Sequence, residues 1–398
     1  MLSLLLTLPF QTGPSEDGLP TTAASLAPRL THHVAGPMAT WLEADGDGFA
    51  LRGAVLDGAN WRAFATPAVR STNLFVNWAD TPGIRQVGDG LVAHWLEMSA
   101  DGTYTYDVRL ARSDDGGANW RPLGTLHTDV RPAEHGFVSW VDTTHGARAF
   151  WLDGRATTGG HDDEGSEGHG HGAGAMQLRT AHVSDAVRQE QLLDEDVCDC
   201  CPTAAIATPT GPLVAYRDRV VGDEIRDIAI VRWLGDRWSD PIVPAPDGWQ
   251  IAGCPVNGPA LAAEGELIVL AWFTGHPTPR VRLARSLDGG TTWEDAETAL
   301  EADASVSPRG RVALAFDSSG GCTLVSLADV GEVSGWFAQA VDPIEGIGEP
   351  RLIRETSPGR ESGMPGLQRA TDGTVLFVHT LGPRDARSVQ VERVTAPD

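Results

Sequence analysis

The sequence predicts an all-β fold, a β-propeller of small four-stranded antiparallel sheets arranged in a ring. Two observations carry this. Four Gly-x-x-Trp turns recur at related spacings, and the runs before them repeat as pairs of strand-like segments. Residues 113–120 read SDDGGANW and residues 286–293 read SLDGGTTW, both fitting S-x-D-x-G-x-x-W. Trp120 and Trp293 lie 173 residues apart, about three periods of 58, which is propeller-blade scale. Degraded copies, Gly58/Trp61 and Gly235/Trp238, fill in the series.

Each period can be justified strand by strand. An opening run, strand A, comes first, with approximate starts at Arg29, Asn73, Gly136, Thr203, Gly258, Arg311 and Gly366. A more apolar strand B follows, as in MATWLEA, LVAHWLEM, PLVAYRD and LIVLAWF. Strand C alternates, as in FALRGAVL, YDVRLARS, DIAIVRWL and RVRLARSL, and a short strand D closes the unit. Four antiparallel strands per period make one blade. The A runs give seven units; six with an extra hairpin is the alternative. The last unit lacks strand D, which the N-terminal segment could supply. In the turn boxes Asp and Ser bond a tight turn, Gly accepts positive φ and Trp packs between strands. They are read as structural.

Composition narrows the function classes. The chain has 398 residues, 41% of them hydrophobic and 21% charged, which is enough for a sizeable core. Gly and Pro together make about 18% against roughly 12% in average usage, so turns are frequent. Every basic residue is Arg. A net charge of −24 repels phosphate and argues against nucleic acid or an anionic membrane as partner. Residues 1–27 read as an apolar and linker segment, and residues 28–398 as a single propeller domain. The run MLSLLLTLPF is either the stub of an export signal or an ordered strand. It is too short to span a bilayer. A periplasmic or secreted monomer is expected. Residues 156–175, between strands B and C of the third unit, form a His-rich, low-complexity insertion.

The two full boxes resemble those of the sialidase superfamily of BNR-repeat propellers. The phrases FVNWAD, EHGFVSW, WLDGR, CDCCPT, YRDR, EIRDI and AGCPVNGPA are similar to exported bacterial propellers of the "sialidase family". The resemblance implies glycan hydrolysis by three Arg, a Tyr–Glu nucleophile pair and an acid/base Asp. The sequence departs from that set. No Tyr follows Tyr216, and the N-terminal Arg-Ile-Pro motif is absent, its nearest counterpart being Arg29 in PRL.

In a propeller the D–A and B–C loops share one face, and most unusual residues map there. Candidate catalytic groups are Glu134, Asp153, Asp218 and Glu224, since glycoside hydrolysis needs paired carboxylates, with His135 as a proton shuttle or a structural hydrogen-bonder. Arg155, Tyr216, Arg217, Arg226, Asn257, Arg309 and Arg311 are candidates to bind a glycan or small anionic ligand, because Arg grips carboxylates in a bidentate fork. Arg217 and Arg309 are read toward ligand binding, Asp218 and Asp227 toward structure.

Cys198, Cys200 and Cys201 fall within four residues and face Cys254 across a blade boundary. They read either as disulfides of an exported protein or as soft ligands for copper or zinc. On an extended strand, Cys200 and Cys201 would point to opposite sides. Cys322 reads as a small core residue. The two functional expectations are therefore a sialidase-like glycoside hydrolase and a non-catalytic or redox propeller with a Cys/His metal rim.

Overall fold

The computed structural model describes residues 18–157, 175–342 and 346–394. Within them the chain forms seven antiparallel sheets in sequence order, with three short 3-10 turns and no α-helix. Among the described residues no helix is long and apolar enough to cross a membrane. Blade 3 is the complete pattern: His135–Thr143, Gly146–Asp153, Met176–Val183 and Val187–Val197 pair as consecutive neighbours. The other A strands are Ser25–Thr31, Gly83–Val87, Ala204–Thr208, Ala260–Glu264, Val306–Phe316 and Gly366–Arg369.

The core decides between six and seven blades. Buried apolar residues fall into seven clusters, and each cluster joins one blade to the next. The last joins Ala370, Leu376, Val378, Val389 and Val391 of blade 7 to Leu30, Ala39, Trp41, Ala54 and Leu56 of blade 1. The ring therefore closes on packing between faces. This follows from the strand pattern: an apolar B strand buried on both faces serves two clusters at once. Trp41, Trp151 and Trp272 on B strands, and Trp336 on a C strand, are almost wholly buried.

The expected strands B and C all form. One A strand differs from expectation. LFVNWAD, residues 74–80, alternates like a strand but makes only one isolated bridge, Leu74 with Glu97. Asn77 turns the chain there, its Oδ1 accepting the Ala79 N–H at 2.8 Å, so the A strand of blade 2 begins at Gly83. Blade 7 has three strands, and the start of its last one, Ser388–Val394, meets Ser25 of blade 1, whose Oγ accepts the Val389 N–H at 2.9 Å. Of residues 1–27, the segment expected to supply a fourth strand, 1–17 lie outside the described residues, as does most of the His-rich insertion with His161, His169 and His171.

The Trp turns act as clips between blades. Ser113 Oγ donates to Asp115 Oδ1 at 2.8 Å and accepts the Gly117 N–H at 2.9 Å, and Ser286, Asp288 and Gly290 repeat this at 2.9 and 2.8 Å. Trp61, Trp120, Trp238 and Trp293 each join the cluster between their own blade and the preceding one. Gly117 has φ +86, and a Cβ there would lie 2.8 Å from Phe64 Cγ of blade 1. Gly117→Ala is expected to destabilise the protein by about 2 kcal/mol or more, from overpacking and φ strain together. Urea unfolding checks this; an unchanged midpoint would remove Gly117 from the blade 1–blade 2 contact.

Candidate functional site

The D–A loops of successive blades converge on the channel mouth, where they line a cavity of about 140 Å³. Asn77, Trp78 and Ala79 come from the loop before blade 2, Glu134 from the loop before blade 3, and Asp199 and Cys200 from the loop before blade 4. Cys254 and Val256 precede blade 5, Arg360 precedes blade 7, and Tyr104 enters from the B–C loop of blade 2. An aromatic wall of Trp78 and Tyr104 thus faces carboxyls, thiols and one guanidinium.

At the edge of this cavity a phenol bridges two acids. Tyr106 OH lies 2.7 Å from Glu134 Oε1 and 3.3 Å from Asp80 Oδ2. Tyr106 and Asp80 are each 1% exposed. A phenol has one proton to donate, so one of the two contacts requires a protonated carboxyl. Desolvation supplies that condition. Burial, reinforced by the charges of Asp199 and Asp80, pushes Glu134 up to about 8 against the pull of the Tyr106 hydrogen bond. Burial pushes Asp80 up to about 7, although it accepts the Phe137 N–H at 2.8 Å. Tyr106 itself is raised well above the ordinary phenol value, chiefly by burial and then by Glu134. The phenol stacks on Phe75 at 4.2 Å. Gly136 leaves the space for Asp80: a Cβ there would lie 1.9 Å from Asp80 Oδ2.

The remaining candidates fall elsewhere. His135 is buried between blades 2 and 3, its ring stacked on His127 at 3.7 Å, with Nδ1 3.3 Å from the Tyr106 carbonyl. Asp153 is fully buried and accepts Trp151 Nε1 at 2.7 Å and both Arg155 donors, at 2.7 and 2.8 Å. Burial alone would raise Asp153, but Arg155 and His135 hold it at about 2. Arg155 also pairs with Glu190 at 2.6 Å. Asp218 is pushed up to about 6 by burial and by the charge of Asp194. Glu224 is held at about 2, first by the Arg219 hydrogen bond, and also pairs with Arg226. Tyr216 is buried and donates to Asp194. None of these lines the cavity.

The guanidinium groups are mostly engaged by the protein itself. Arg217, 1% exposed, donates to the carbonyls of Asn257, Arg226 and Phe273 and sits over Trp249 at 5.0 Å. Arg311 donates to Gly359 O at 2.7 Å and Ser362 Oγ at 2.6 Å, and lies over Trp78 at 4.4 Å. Arg226 contacts Cys198 Sγ at 3.2 Å and Glu224 at 2.9 Å. Arg309 pairs with Asp329 at the surface. Asn257 accepts the Arg311 N–H at 2.7 Å and clips the loop at Arg309. Loop termini at the rim leave carbonyls without sheet partners, and Arg, with five donors, satisfies several at once. Among the cavity-lining residues the cation is Arg360.

Reading the sequence missed Asp80, Tyr106, Trp78, Tyr104 and Asp199 as members of this site. The phrase FVNWAD contained two of them, hidden by its strand-like alternation. The five cysteines are all free thiols. Contrary to the strand-based expectation, Cys200 and Cys201 do not diverge. Residues 199–201 are a turn, and the donor atoms of Cys198, Cys200 and Cys201 lie within 4.8 Å of one another.

No protein-family model and no curated protein matches the chain. Solved structures do. The α-L-arabinofuranosidase Arb93A of Fusarium graminearum aligns with a TM-score of 0.52 at 10% identity, over 96% of this chain and 98% of its own. A protein of unknown function from Dyadobacter fermentans aligns with a TM-score of 0.51 at 11% identity, over the same shares. The NanB sialidase of Streptococcus pneumoniae aligns more loosely, with a TM-score of 0.44 at 11% identity, over 97% of this chain and 70% of its own. At these identities the likeness concerns fold alone. The chain has a seven-bladed β-propeller fold.

Proposed function

We propose that the channel-mouth cavity hydrolyses glycosidic bonds of an acidic or complex glycan. The observation that carries this reading is the Glu134 carboxyl, which keeps its proton up to about pH 8 at the wall of an aromatic cavity. A glycosidase needs such an acid, uncharged at working pH, to protonate the leaving oxygen. It also needs a second carboxyl on the sugar's other side. Asp199 lines the same cavity and is the candidate for that role. Trp78 and Tyr104 offer flat faces for a pyranose or furanose ring, and Arg360 offers a cation for an acidic substituent. The names of the fold neighbours support including both arabinofuranosides and sialosides among the substrates tried.

The test is a panel of aryl glycosides, furanosides and sialosides included, with the wild-type protein and Glu134→Gln. Hydrolysis of at least one substrate by the wild type, lowered about 10²- to 10⁴-fold by Glu134→Gln, is expected. Turnover that survives the substitution unchanged would remove Glu134 as the acid. No turnover across the panel would count against the hydrolase reading.

A further inference from the structure

The thiol cluster is not used by that chemistry, and its geometry is specific. Cys198 Sγ lies 3.8 Å from Cys200 Sγ and 3.5 Å from Cys201 Sγ. Cys254 reaches in from the next D–A loop: its donor atom and those of Asp199 and Cys200 lie within 4.8 Å of one another. Cys200 belongs to both groups. Cys198 and Cys201 are no more than 1% exposed, while Cys200 and Cys254 face the cavity.

Neither of the two measured sulfur pairs is bonded, since a disulfide needs about 2.05 Å. Their spacing is instead that of neighbours on one ion: tetrahedral ligands at about 2.3 Å stand about 3.8 Å apart. A fully buried guanidinium lies against the sulfurs, Arg226 Nη1 being 3.2 Å from Cys198 Sγ. It also donates to Glu224 at 2.9 Å and lies 3.8 Å from the Asp199 carboxylate. A bridge between any two of the three clustered thiols would leave the third outside it. One cation in their midst serves all three.

We propose that Cys198, Cys200 and Cys201, with Cys254 from the next blade, hold one soft d10 metal ion, zinc(II) or copper(I). Sulfur ligands select these over magnesium or calcium. The chain order explains how the site is built. The Cys198 N–H is anchored to the Arg217 carbonyl at 3.0 Å, and the turn at 199–201 then doubles the next two thiols back onto the first. The ion would tie the loop before blade 4 to the loop before blade 5 at the cavity wall. This inference does not depend on glycan hydrolysis.

Native and denaturing mass measurement of the full chain, purified under reducing conditions without chelator, tests it. One zinc or one copper per chain, lost on denaturation with all five thiols intact, is expected, and the mass difference identifies the ion. Cobalt(II) reconstitution of stripped wild-type protein should give sulfur-to-cobalt charge-transfer absorption, a readout that needs no variant to fold. Cys200→Ser should lose the ion and that absorption, whereas Cys322→Ala, altered in the core of blade 6, should keep both. Reduced protein that takes up neither zinc nor copper(I) would overturn the proposal. So would a mass deficit of about 2 Da per bridge with no metal under non-reducing conditions.

Discussion

Replacing Glu134 by Gln is expected to flatten the alkaline side of the stability profile and to lower glycoside turnover by about 10²- to 10⁴-fold. The stability effect follows from linkage. The folded-state value of Glu134 is raised from 4.5 to about 8, so the folded protein keeps a proton that the unfolded chain has released. Its contribution is fully present below pH 4.5 and is lost as the pH rises through about 8. Asp80 adds a slope of the same sign between 3.8 and about 7. The full shift of Glu134 would correspond to roughly 5 kcal/mol, but the side chain is partly open to solvent, so about 2 kcal/mol is the expected loss. Gln keeps an acceptor for Tyr106 and removes the titration.

An opposing term bounds the window on the acid side. His127 is lowered to about 4 by burial first and by His135 second. Its contribution is present above 6.5 and is lost as the pH falls through about 4. Between pH 4.5 and 6.5 the His127 gain offsets one of the two carboxyl losses, so on these three groups the wild type should be most stable near pH 4 to 4.5. Urea unfolding of wild type and Glu134→Gln at pH 5 and pH 8 measures the difference directly. Two profiles that run parallel would mean that Glu134 titrates as an ordinary carboxyl, and the acid role would fail with it. The catalytic profile carries the same signature: wild-type turnover should decline above about pH 8, as the acid loses its proton.

How far the molecule could be read from its sequence depended on how local each feature is. The turn boxes were legible because Ser113, Asp115, Gly117 and Asn119 complete their hydrogen bonds within seven residues. Strands B and C were legible because each is defined by its own apolar pattern. The A strand of blade 2 was not, since LFVNWAD has a strand's alternation and only Asn77 redirects it. Glu134 and the cysteines could be placed at the rim because they lie in D–A loops. The Asp80–Tyr106–Glu134 bridge could not, because its members come from two loops and the start of a strand, separated by 26 and 28 residues. No local periodicity encodes that convergence. The Arg residues were ambiguous for another reason: a guanidinium at a rim suits a carboxylate ligand and an orphan carbonyl equally well, and only the loop geometry distinguishes them.

That distinction can be measured at Arg217. Arg217→Met keeps much of the volume over Trp249 and removes every donor. The carbonyls of Asn257, Arg226 and Phe273 would be left without this partner at a site 1% exposed. Each buried acceptor left unsatisfied costs about 1–3 kcal/mol, so a loss of about 3–5 kcal/mol is expected. Arg309→Met is the matched contrast. Arg309 pairs with Asp329 at 2.6 Å, but its side chain is 48% exposed. Solvent and salt reduce such a pair to about 1 kcal/mol or less. Urea unfolding of the two variants should therefore separate them by several-fold in stability change. The reverse order, or a loss of glycan binding by Arg217→Met at wild-type stability, would return Arg217 to the ligand. The expected order makes it a tie across blades 4 and 5, next to the loop that brings Cys198, Asp199 and Cys200 to the cavity. On that reading, weakening Arg217 disturbs the site by loosening the rim that builds it, and ligand affinity should fall only in step with stability.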